Sequence, residues 1–215
     1  MEIQLTEDGS HTLFIPEMNE HYHSVNGAVT ESIHVYIQAG FNQCTKKEVR
    51  VLELGFGTGL NALLTCLEAE QKGCMVHYTA LEKFPLDDET IQYLNYGAIH
   101  IKASSIYPTL HTCPWGNPEK ITPHFSLTKI NIDFADYEYT GPFDVVYYDA
   151  FAPDKQSEVW TPELFRKIYA SMNPGGILTT YCAKGSVRRM MQNAGFKPER
   201  IPGPPGKREM LRANK

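Results

Sequence analysis

At 215 residues the chain has the length of one domain with room for a small appendage, and its 42% hydrophobic and 21% charged content is that of an ordinary globular protein. No apolar run approaches the ~18 residues that span a bilayer, and the acidic start Met1–Asp8 lacks the regions of a secretory signal, so a cytoplasmic protein is expected. The net charge of -5 speaks against a nucleic-acid partner as a sum, but residues 184–215 carry nine Lys and Arg against two Glu (+7), leaving -12 on residues 1–183. Such a tail is either a solvated surface or a phosphate-contacting face on an acidic body.

Taken in order, Ile3–Leu5 and Thr12–Ile15 flank the turn-rich Glu7–Ser10 and predict a β-hairpin closed by Pro16. His21–Ala28 reads as a polar loop, followed by a helix from Glu31 to Ala39 with Thr30 as cap and Gly40 as stop. Val51–Leu54 predicts a buried strand, 61–71 a helix, and 76–81 a second strand ending at Glu82. Leu86–Tyr96 reads as a helix; 97–123 gives no clear pattern, apart from His111–Pro118, a loop and candidate lid. Phe125–Ile132 predicts a strand ending at Asp133, and Phe143–Tyr148 another that delivers Asp149 into a loop broken by Pro153. A helix over 160–172 with Thr161 as cap, a break at Asn173–Gly176, a strand at 177–182 and a helix at 186–193 follow. The chain closes with a strand pair at 196–201 and 208–212. The alternation gives an α/β fold: a mostly parallel sheet with an antiparallel end strand and a small N-terminal hairpin. Residues 1–45 are expected to pack on a core of 46–215, as one domain overall.

The chemistry concentrates around Glu53-Leu54-Gly55-Phe56-Gly57-Thr58-Gly59-Leu60-Asn61. A dinucleotide G-x-G-x-x-G loop would place its last glycine at position 60, where leucine stands. The observed E-x-G-x-G-x-G is the pattern of Rossmann-like class I S-adenosylmethionine (SAM) methyltransferases, although a tight strand-to-helix connection without ligand has the same look. Glu53, Gly55, Phe56, Gly57, Thr58, Gly59 and Asn61 are the candidate cofactor residues. Glu82 suits the ribose hydroxyls and Asp133 the adenine amino group, with Asp136 competing. Ligands of open α/β sheets bind at the carboxyl ends of the strands, which puts Asp149 near the reactive end of the cofactor. The scattered cysteines form no C-x-x-C pair, and His21 and His23 have no cysteine at ligand spacing, so neither a disulfide framework nor a metal is expected.

With these stretches in place the chain resembles the tRNA (5-methylaminomethyl-2-thiouridine)-methyltransferase family, MnmD and the N-terminal methyltransferase domain of MnmC. The resemblance is carried by His21-Tyr22-His23-Ser24, Gly27-Ala28, Glu31-Ser32, the glycine loop, Asp149-Ala150-Phe151-Ala152-Pro153 and Pro202-Gly203-Pro204-Pro205-Gly206-Lys207-Arg208-Glu209-Met210, nearly end to end. It implies methyl transfer from SAM to the exocyclic amine of 5-aminomethyl-(2-thio)uridine at the wobble position of the tRNA anticodon loop. Fused family members carry a flavin-dependent oxidase, for which 215 residues leave no room; no FAD is expected, and an oxidase acting upstream is a candidate partner.

In this reading Asp149 accepts a hydrogen bond from the acceptor amine, holds it in line and takes up its proton, directly or through water. Phe151, Pro153 and Trp160 are candidates for the base-contacting surface, and Lys207 and Arg208 for the phosphate backbone. Ser24 and Glu31 are candidates for the methionine end of SAM or for closing over the acceptor. Alternatives are a methyltransferase for a small-molecule or protein amine, an aminopropyltransferase, and a non-catalytic SAM-binding partner subunit.

Overall fold

The structure, a computed structural model of residues Met1–Lys215, opens with three short antiparallel strands, β1 (Glu2–Leu5), β2 (His11–Ile15) and β3 (Glu20–His21). The predicted hairpin is present, and β3 lengthens it where the sequence reads as loop. The helix that follows starts earlier than predicted. It runs as α1 (Ala28–Ser32) and continues as a π-helical stretch, Ile33–Gln38. Thr30 is not its cap: the Asp8 carboxylate accepts from both the Thr30 N–H and its hydroxyl at 2.8 Å, so a residue of the hairpin turn satisfies the open helix end.

Next come β4 (Glu48–Leu54), α2 (Leu60–Lys72) and β5 (Met75–Glu82), close to prediction. The predicted 86–96 helix is split. Asp87 caps α3 (Asp88–Gln92), accepting from Thr90 N at 2.6 Å, and a 3-10 turn covers Asn95–Ala98. Asn95 is drawn away by the N-terminal sheet, accepting from His11 N (2.9 Å) and donating to Gly9 O (2.8 Å). The 97–123 stretch holds α4 (Ala103–Thr112) and β6 (Glu119–Thr122), and the predicted His111–Pro118 loop lies between them from Cys113 on. The chain ends with β7 (Phe125–Asn131), β8 (Phe143–Tyr148), α5 (Pro162–Ser171), β9 (Met172–Thr180), α6 (Gly185–Ala194), β10 (Lys197–Pro202) and β11 (Glu209–Asn214). Asn173–Gly176 does not separate helix from strand; it lies inside β9, where the pairing to β8 shifts register.

The large sheet has the order β10-β11-β9-β8-β4-β5-β7-β6. Its five inner strands from β9 to β7 are parallel, and β11 is antiparallel to both neighbours. β6 is antiparallel as well, so the sheet has an antiparallel strand towards each end rather than one.

Period-two alternation decides the layers. Val49 and Val51 of β4 with Val145 and Tyr147 of β8 face one side, where α2, α4 and the π-helical stretch pack through Leu63, Leu110 and Val35. Leu52, Leu54, Val146 and Tyr148 face the other side, against Leu164 and Phe165 of α5 and Val187 and Met191 of α6. The first helix of residues 1–45 thus shares its apolar cluster with α2. No helix is long and apolar enough to cross a membrane.

Candidate active site

The strand order reverses between β4 and β8, and their carboxyl ends leave a crevice where open α/β sheets take ligands. The loop 55–59 leaves β4 there, and Asp149 leaves β8 beside it. Gly55 has φ 95°, and a Cβ on it would stand 2.6 Å from the Asp149 carbonyl oxygen. Only glycine allows these two loops to touch. A cavity of about 840 Å³ opens between them, bounded on its far side by Glu20–Val25 of the N-terminal segment. That volume is in the range that holds a small-molecule ligand.

Asp149 sits in the cavity wall with both carboxylate oxygens engaged. Tyr36, from the π-helical stretch, donates its hydroxyl to Oδ1, and Asn61, in the first turn of α2, donates to Oδ2 at 2.7 Å. The Asp149 carboxyl is raised to about 7 as the balance of burial, which pushes it up, the Tyr36 and Asn61 hydrogen bonds, which pull it down, Glu31, which raises it, and Lys207, which lowers it. The same Asn61 amide reaches Glu53 Oε1 at 3.0 Å. Glu53 is fully buried, its second oxygen has no partner, and burial followed by the charge of Asp149 holds its carboxyl well above the usual carboxylate range.

Two further acids line the cavity. Glu82, at the end of β5, accepts from Gly57 N (2.9 Å) and Phe84 N (2.8 Å), fixing its carboxylate against the glycine loop. Glu31 accepts from Ser24 N and from Lys207 Nζ, both at 2.7 Å, and the Lys207 ammonium lies 4.2 Å from the Tyr181 ring centroid. Opposite charges therefore face the cavity close to Asp149.

Of the sequence-predicted residues, Ser24, Glu31, Gly55, Phe56, Gly57, Thr58, Asn61, Glu82, Asp149, Phe151 and Lys207 all line this one cavity. Glu53, Gly59, Asp133, Pro153 and Arg208 do not. Glu53 stands behind Asn61, and Asp133 is turned aside by Lys83 at 2.7 Å and Ala135 N at 3.0 Å, leaving its neighbour Phe134 in the wall. Lys207 points inward to Glu31 instead of outward to a phosphate, whereas Arg208 is exposed and has no side-chain partner. Trp160 is core, packed on Tyr148 and holding the Phe151 carbonyl at 2.8 Å.

The candidate lid is no lid, since His111 packs behind the glycine loop, 5.4 Å from the Phe56 ring. Sequence reasoning missed Tyr36, Tyr22, Phe134 and Tyr181, four aromatics in or beside the wall; no spacing signal marks them, because each is placed by tertiary packing. No group of three or more His, Cys, Asp and Glu side chains is gathered as a metal site, and all five cysteines are free thiols.

The C-terminal charge is divided between two rims. Because β11 reverses, Lys184, Arg188, Arg189, Lys207 and Arg208 fall on the rim of the strand carboxyl ends, with Asp149, while Lys197 and Lys215 fall towards the opposite one.

Residues 118–215 match a family described as S-adenosyl-L-methionine-dependent methyltransferase. The chain is 31% identical over 209 residues to the tRNA 5-methylaminomethyl-2-thiouridine biosynthesis bifunctional protein MnmC of Leptospira interrogans, covering 91% of this chain and 32% of that protein. It is 29% identical over 216 residues to the protein of that name from Cupriavidus necator, covering 94% and 32%. The chain thus spans about a third of the length of the curated relatives it matches. The solved structure of MNMC2 from Aquifex aeolicus superposes with a TM-score of 0.82 at 26% identity, over 99% of this chain and 69% of that one. Spermidine synthase from Thermotoga maritima (TM-score 0.54, 12% identity, 100% and 71% coverage) shares the fold alone. Fold, glycine loop and these matches agree: the chain is similar over nearly its whole length to a third of the MnmC proteins, and its residues 118–215 match the S-adenosyl-L-methionine-dependent methyltransferase family.

Proposed function

We propose that the chain transfers a methyl group from SAM to the exocyclic amine of 5-aminomethyl-(2-thio)uridine at the wobble position of tRNA, in the cytoplasm, on an amine supplied by an oxidase acting upstream. The observation that carries this reading is Asp149: a carboxyl at the switch-point crevice, gripped by Tyr36 and Asn61 and tuned to about 7. The MnmC relatives are named for the biosynthesis of that wobble nucleoside.

The wall fits the donor. Gly55–Thr58 form a cradle that side chains would fill, Glu82 retains lone pairs for ribose hydroxyls, and Phe84, Pro85 and Phe134 offer an apolar face for a purine. Ser24, Glu31 and Lys207 supply groups of both charges for an amino-acid end or for the acceptor base. Bound here, SAM supplies the electrophilic methyl group.

Asp149 acts on the acceptor. An alkylammonium titrates near ~10.4 and has no lone pair while protonated. With Asp149 near 7, proton transfer to it is uphill on the order of a thousandfold in water-like conditions. Burial of the amine narrows that gap. The larger task of Asp149 is orientation: with one lone pair on each oxygen committed to Tyr36 and Asn61, the others accept an amine N–H in a fixed direction. Phe151 offers a ring to the base, and Arg208 with Arg189 offers exposed charge to the phosphates on the same rim.

Incubating the protein with methyl-labelled SAM and tRNA from cells lacking the modification tests the reading. Label in the wobble nucleoside is the expected result. Label only in a small-molecule or protein amine, aminopropyl transfer, or SAM binding without transfer would overturn it.

A further inference from the structure

Three groups from outside the glycine loop converge on Thr58. His23 Nε2 lies 2.8 Å from the Thr58 hydroxyl. The Tyr107 hydroxyl donates to the Thr58 carbonyl at 3.0 Å, and His111 Nε2 lies 3.2 Å from the same oxygen, which assigns the proton of that imidazole to Nε2. His23 is itself fixed on the N-terminal sheet: its N–H donates to Thr12 Oγ1 at 3.0 Å, and the Thr12 hydroxyl reaches the His23 carbonyl at 3.1 Å. Thr12, His23 and Thr58 are all buried.

Neither histidine has a part in the chemistry above. Burial pushes both down to about 4, so each is a neutral hydrogen-bonding ring at neutral pH. The Thr58 contact occupies Nε2 of His23, which removes it as a base for the acceptor. Its chain neighbours Tyr22 and Ser24 line the cavity, and the Tyr22 ring packs edge-on against Phe151 at 5.1 Å. One short segment therefore touches the glycine loop, the cavity and the Asp149 loop.

We propose that His23 is a positioning residue for the methyl-donor loop: anchored on the N-terminal sheet, it holds Thr58 and keeps the β4–α2 turn in the conformation that lines the cavity, which makes that sheet part of the donor site. This rests on the cavity being the SAM site. The hydrogen bond is worth little for the fold as a whole, but the turn it restrains is glycine-rich, and while Tyr107, His111 and Glu82 hold its backbone, His23 holds the Thr58 side chain.

Titration calorimetry with S-adenosylhomocysteine, which needs no tRNA, tests it on the full chain. His23→Ala is expected to weaken binding about tenfold, with kcat at saturating SAM within about twofold, and His23→Gln, whose amide reaches the position of Nε2, to restore most of the affinity. Thr58→Val, which keeps the side-chain shape, should weaken binding to the same degree, and the double variant no further. Should His23→Ala fail to fold, Thr58→Val decides by the same titration. Unchanged affinity in these variants, losses that multiply in the double variant, or no rescue by glutamine overturns the role of His23. Failure of the unaltered protein to bind S-adenosylhomocysteine would instead count against the cavity as the donor site.

Discussion

The Tyr36 hydroxyl donates to the Asp149 carboxylate across 113 positions of sequence, from a π-helical stretch to the end of a central strand. The bond favours the charged form of an acid that burial pushes towards neutrality. Tyr36→Phe removes the donor and should move the Asp149 titration above about 7. In the proposed reaction the deprotonated carboxyl is the form that holds the amine, so activity is expected above that value and should fall up to tenfold per pH unit below it. The variant's acid limb should lie at higher pH than the parent's in a kcat/KM profile. An unmoved limb would separate Asp149 from the observed titration.

Asp149→Ala removes the acceptor while leaving Glu82 and the glycine loop in place. Transfer should fall by about 10²–10⁴ while S-adenosylhomocysteine binds within a few-fold of the parent. Single-turnover rates and calorimetry read the two separately, and retained turnover would remove Asp149 from the mechanism.

Glu53 tests the layer behind the site. It has no exposure, and its only hydrogen bond is from Asn61. Glu53→Gln keeps an acceptor for Asn61 and replaces an acid whose ionisation burial opposes, so thermal stability should hold or rise at pH 8. Glu53→Ala leaves one of the two Asn61 amide hydrogens without an acceptor and opens a cavity, at a cost of about 2–4 kcal/mol in denaturant unfolding. Equal losses in both variants would mean that the charge itself is required.

Lys207 and Arg208 are adjacent in sequence but face different surroundings. Arg208→Glu should weaken tRNA binding and lower the slope of log K against log salt by about 0.7–0.9 per lost phosphate contact. Lys207→Met leaves Glu31 unpaired in the cavity, and should lower turnover with the salt slope unchanged. Filter binding across a salt series, with kcat measured alongside, separates them; a slope change on Lys207→Met would return that residue to the phosphate surface.

The central strands and the Asp149 loop were legible because apolar runs ending in glycine or an acid are local signals. Helix α4 is less legible: Ala103, Ile106, Tyr107 and Leu110 are buried at helical spacing, but interleaved Ser and Thr and an internal Pro108 mask the period. Tyr36 and the inward turn of Lys207 had no such signal. Tyr36 reads as one more apolar residue of a helix face, and Lys207 as one more charge of a basic tail. Only the packing of the π-helical stretch on β8, and of the 203–208 turn over residues 24–31, gives them partners.

The reversal of β11 has a practical corollary. The backbone of Lys215 pairs with Gly175 and Gly176 at the amino end of β9, on the side of the sheet remote from Asp149. A fluorophore or reporter joined at Lys215 therefore projects away from the cavity beside Asp149, so labelled protein can be used in binding work without obstructing its own mouth.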